Sequence, residues 1–106
     1  MPSQLEKLVT DFLEHLEVEK GRSQKTIQNY DFYLRRFLKF SGAKSPSAIT
    51  PESVRTYRLW LNREVAGREE KTIKKSTQNY HVIALRSFLK YLSKCDVKSL
   101  APEKIE

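Results

Sequence analysis

Cysteine is nearly absent. A single Cys95 cannot close an internal disulfide, so no crosslink is expected and a reducing cytoplasm is the natural home. Glycine is scarce as well: three residues are too few to build a phosphate-cradling loop or a nucleophile elbow. His15 and His81 have no ligand-spaced Cys, Asp or Glu beside them, so neither a metal site nor a cofactor is expected. No apolar run approaches the ~20 residues of a membrane span, and Glu6 and Asp11 interrupt any signal-peptide core. These absences predict a soluble cytoplasmic protein, or a piece of one, with no membrane partner. Acidic residues are also in the minority, 13 Asp and Glu against 20 Lys and Arg, for a net charge of +7. That imbalance favours polyanionic partners, nucleic acid first.

What the chain does have is helical periodicity. Its 106 residues suffice for one domain with a modest core, and five Phe, five Tyr and one Trp supply material for it. Ser3 and Glu6 form a capping box ahead of an apolar stripe at Leu5, Leu8, Val9, Phe12, Leu13 and Leu16. The polar face of this first helix is acidic, with Glu6, Asp11, Glu14 and Glu17, and suits scaffold rather than phosphate contact. Gly21 ends it and Ser23 caps a second helix, whose apolar face is Ile27, Tyr30, Leu34, Phe37 and Leu38. Ser41-Gly42 stops that helix. Thr50-Pro51-Glu52 starts a third, with Ile49 and Val54 placed as a hydrophobic staple and Val54, Tyr57, Leu61 and Val65 as its buried stripe. Gly67 through Lys75 reads as a mobile charged loop, and a fourth helix starts at either Thr72 or Ser76. From Asn79 to Leu92 that helix is apolar around most of its circumference, as the central helix of a small bundle is. No strand pattern occurs. The prediction is one all-α domain of four helices over residues 1–99, with 100–106 opening a linker.

One pattern comes twice. At about 100° per residue, Lys25, Gln28, Asn29, Arg36 and Lys39 lie opposite the apolar face of the second helix. Fifty residues on, Lys75, Asn79 and Arg86 repeat the spacing of Lys25, Asn29 and Arg36, and Gln-Asn-Tyr recurs at 28–30 and 78–80. A looser echo, LRRFLKF at 34–40 against LRSFLKY at 85–91, needs one inserted residue. The plain alternative for any one such stripe is a solvated helix exterior. Against it stand the segregation of acidic residues to the first helix and the repetition of the pattern on the small polar strip of the fourth. Lys and Arg suit phosphates, Asn and Gln suit adenine edges, and Arg suits guanine in a major groove. If the fourth helix begins at Ser76, Lys75 stands beside backbone N–H groups that favour a phosphate. Lys71, Lys74 and Lys75 with Thr72, Ser76 and Thr77 add cations and hydroxyls there. Arg55, Arg58 and Arg63 are diluted by Glu52 and Glu64 and read as surface charge. Tyr30, Tyr33, Tyr57, Tyr80 and Tyr91 have core spacing, and Cys95 reads as a small buried hydrophobe. No constellation for covalent chemistry is present.

The pattern S-x-x-T-x-x-x-Y-x-x-x-L-x-x-F-L at Ser23, Thr26, Tyr30, Leu34, Phe37 and Leu38 resembles the N-terminal core-binding domain of the phage-integrase and Xer-like tyrosine recombinases. L-R-S-F-L-K-Y-L at 85–92 is similar to that domain's last helix, and I-T-P-E at 49–52 to the opening of its third. The resemblance implies a small orthogonal four-helix bundle of SAM-like type on one side of duplex DNA. Its second and fourth helices would approach the major groove, with contacts at Ser23, Lys25, Thr26, Asn29, Arg36, Lys75, Ser76, Thr77, Asn79 and Arg86. It also implies partner recombinase subunits in a synaptic complex, with the first helix as a protein contact. The family's catalytic Arg, Lys and Tyr residues belong to a domain expected after Pro102, so this chain alone is expected to be monomeric and no enzyme. A rival from another class is a helical protein-interaction module whose basic face meets an acidic partner.

Overall fold

The first three α-helices each begin where a side chain satisfies orphan backbone donors. In the computed structural model, which describes residues 1–65 and 75–105 with side chains for 1–63 and 78–105, α1 spans Gln4–Val18. Ser3 and Glu6 cap it reciprocally. Gly21, at φ +60°, then lets the chain reverse, and Arg22 N–H donates back to the Leu16 carbonyl at 3.0 Å. α2 spans Gln24–Ser41 behind its cap Ser23, whose Oγ accepts from Thr26 N–H. α3 covers Pro51–Trp60 behind Thr50, which forms a capping box with Ser53, and runs on into a π-helical turn at Leu61–Val65. α4 covers Lys75–Lys94 and is closed by Asp96 at φ 59°, with Val97 N–H returning to the Leu92 carbonyl at 2.9 Å. Short 3₁₀ turns occupy Pro46–Ala48 and Pro102–Lys104. Among the described residues the chain is all-helical, with four α-helices and no strand. Residues 66–74, which hold most of the predicted charged loop and one of the two expected helix starts, lie outside the described ones.

The apolar stripes converge on one core. Leu5, Val9, Phe12 and Leu16 of α1 meet Leu34, Phe37 and Leu38 of α2, Val54, Tyr57 and Leu61 of the α3 region, and Ala84, Leu85, Phe88, Leu89 and Leu92 of α4. Phe12 sits among three rings, 5.6 Å from Phe88, 5.4 Å from Tyr91 and 6.3 Å from Tyr30, so α1, α2 and α4 share one aromatic contact. Ile49 and Val54, expected as a staple, are both buried. Leu5 N–H donates to the Lys44 carbonyl at 3.0 Å and ties the start of α1 to the loop after α2. The segment from Leu100 folds onto α4 and buries Pro102 and Ile105, so packing continues past the predicted linker start.

Three side chains differ from expectation. Tyr80 is 54% exposed and Ile83 46% exposed, so α4 is less enclosed than its composition suggests. Cys95 is exposed beyond the last turn of α4 rather than buried. In their stead His81 is buried, at 2% exposure, on the inner face of α4. An inner-facing register for His81 turns Tyr80, its chain neighbour, about 100° away toward solvent.

Candidate nucleic-acid interface

Consecutive arginines of α2 point to opposite flanks. Arg35 turns to α1: its Nε meets Asp31 Oδ1 at 2.9 Å, and its Nη2 donates to Thr10 Oγ1 at 3.1 Å. Arg36 turns the other way. Its guanidinium carbon lies 5.4 Å from the centroids of both the Phe32 and Trp60 rings, and Nη1 stands 3.5 Å from His81 Nε2. So α2 has one flank facing acidic α1 and another facing α3 and α4.

Between those flanks runs the polar stripe. Lys25, Gln28, Asn29 and Lys39 are exposed and Arg36 is half-buried by its aromatic neighbours. Ser23 and Thr26 are occupied with each other: their hydroxyl oxygens are 3.0 Å apart and Ser23 Oγ accepts the Thr26 amide. On α4, Asn79, Arg86 and Lys90 are exposed along one stripe with Ile83 among them. Lys75, Ser76 and Thr77 form the first described residues of α4, and their side chains lie outside those described, as do Lys71, Thr72 and Lys74 altogether. Arg55, Arg58 and Arg63 are exposed on the α3 region. Glu6, Asp11, Glu14 and Glu17 are exposed on α1, which keeps the acidic face on its own helix.

The aromatic cluster behind Arg36 has its own electrostatics. Tyr57 Oη is buried with no hydrogen-bond partner among the described residues. Burial pushes the Tyr57 phenol well above the usual tyrosine range, and the nearby Arg36 cation pulls the other way. Tyr33 lies 4.3 Å and Tyr57 6.4 Å from the His81 ring, ring centre to ring centre. On the far side of α4, Tyr91 is pushed up to about 12, by burial first and then by Cys95, Asp11 and Glu14. Neither tyrosine is poised to ionise near neutral pH, and no group of three or more His, Cys, Asp or Glu side chains is arranged for a metal among the described residues.

The family description "Phage integrase, N-terminal SAM-like domain" matches residues 9–95. The chain belongs to that family. This SAM-like domain is also 31% identical over 87 residues to "Tyrosine recombinase XerC" of Bacillus pumilus (strain SAFR-032), an alignment covering 82% of the chain and 27% of the relative. The chain thus corresponds to about 27% of that relative's length. No solved structure matches it. The family match contains both polar stripes whole, from Ser23 to Lys90.

Sequence reasoning on this SAM-like domain missed His81 and Trp60 as neighbours of the stripe. A signal existed: a lone His at the i−3 and i−4 positions before Ala84 and Leu85 sits on the apolar face of α4, where a buried polar ring needs a partner. Nothing local in the sequence names that partner as Arg36, 45 residues earlier.

Proposed function

We propose that the chain is the DNA-binding domain of a site-specific tyrosine recombinase and meets duplex DNA with α2 and α4. What supports this reading is the family match over residues 9–95, which takes in both polar stripes, together with the approach of Arg36 to His81, which brings α2 and α4 into contact. Lys25, Lys75 and Arg86 would neutralise phosphates, Asn29 and Asn79 would meet base edges, and Ser23, Thr26, Ser76 and Thr77 would lie at the two helix mouths where backbone N–H groups favour anions. Arg36 is already oriented by two rings, so little freedom is lost when it engages a guanine or a phosphate. The exposed carboxylates of α1 would face away from the duplex and suit contact with a neighbouring subunit. Cutting and rejoining would belong to a catalytic domain outside this chain.

The test is the salt dependence of duplex binding, followed by fluorescence anisotropy. Removing one phosphate-neutralising cation reduces the slope of log affinity against log salt by about 0.9. Lys25→Ala with Arg86→Ala is expected to flatten the slope by about 2. Unchanged affinity and slope in that double variant would contradict the assignment.

A further inference from the structure

Both polar stripes carry an exposed apolar residue at their centre. On α2, Phe32 lies between Asn29 and Arg36 and is 57% exposed; on α4, Ile83 lies between Asn79 and Arg86 and is 46% exposed. The spacings are three then four residues on α2 and four then three on α4, so each trio shares one helix face. Scattered apolar residues on a surface need no special cause, but each of these two interrupts a polar stripe between its Asn and its Arg. Leaving either in water costs the free energy its burial would recover.

We propose that Phe32 and Ile83 read thymine 5-methyl groups in the major groove, an inference that rests on the DNA-binding assignment above. The major-groove edges of the bases present adenine's donor–acceptor pair, guanine's two acceptors and thymine's methyl group. Asn, Arg and an apolar side chain match those three in turn, and each stripe carries all three in one row. Phe32 is also held for the task. Its ring meets Tyr33 at 5.9 Å and His81 at 6.2 Å, both edge-on, and Arg36 lies 5.4 Å from its centre. A ring fixed before binding loses little conformational entropy when a methyl group is pressed against it.

The experiment compares a 24-base-pair alternating A·T duplex with the same duplex carrying deoxyuridine in place of every thymidine, which removes the 5-methyl groups and leaves the pairing unchanged. Burying one methyl is worth a factor of about four in affinity, so two readers give the unmodified chain a preference of about fifteenfold for the thymine duplex. Phe32→Ala and Ile83→Ala should each reduce that preference to a few-fold, and the double variant should abolish it. Phe32→Leu with Ile83→Leu, which keeps apolar surface at both places, should retain it. Lys25→Ala should weaken both duplexes alike and leave the ratio intact. Equal affinity of the unmodified chain for both duplexes overturns the proposal, as does a full preference surviving in the double alanine variant. Failure to bind either duplex at low salt overturns the DNA-binding assignment itself, a result distinct from binding without discrimination.

Discussion

Nη1 of Arg36 stands 3.5 Å from Nε2 of the buried His81, joining the polar stripe of α2 to the inner face of α4 across 45 residues of sequence. With Phe32 and Trp60 both at 5.4 Å, the guanidinium is clamped on three sides. Arg36→Ala is expected to lower stability by about 1 kcal/mol through loss of cation–π attraction and stem packing. Arg36→Lys keeps the charge but not the plane that lies against two rings, so it should restore less than half of the loss. Urea unfolding of the two variants checks the ordering; equal stability of Lys and Arg at this position would show that the rings only shield a charge.

Tyr57 packs its ring in the core and carries its hydroxyl in with it. It is buried without a hydrogen-bond partner among the described residues, so Tyr57→Phe should stabilise the domain by about 1 kcal/mol, the lower end of the cost of an unsatisfied polar group. The same group sets an alkaline limit. The folded-state values of Tyr57 and Tyr91 both lie above the ordinary 10.0, so the unfolded chain loses those protons first. Stability is therefore complete below about pH 10 and declines as pH rises toward and past about 12. Melting temperatures taken between pH 8 and 12 should be level at first and then fall, and Tyr57→Phe should make the fall shallower. A decline that begins near neutrality would point to a different group.

The helices were legible because their ends and stripes are local. Ser3, Ser23 and Thr50 cap where their hydroxyls and following residues say they should, and the period of Leu5, Val9, Phe12 and Leu16 names the buried face directly. The two stripes were legible for the same reason, as spacing on a single helix. What each stripe lies beside was not, because that depends on how helices pack. Tyr80 and His81 illustrate it: both are aromatic and adjacent, and only the register of α4 against α2 and α3 decides that the histidine goes inside. The tail is a second case. Leu100-Ala101-Pro102 has linker composition, yet Ile105 finds a buried seat that no local pattern announces.

The central claim, that α2 and α4 together form the DNA-facing side, is tested most directly by backbone amide NMR of the chain titrated with a short duplex. Shifts are expected to concentrate on residues 23–39 of α2 and 75–90 of α4, while the exposed acidic residues of α1, Glu6, Asp11, Glu14 and Glu17, stay in place. Shifts that instead gather on α1, or on α3 around Arg55 and Arg58 with both stripes silent, would contradict it.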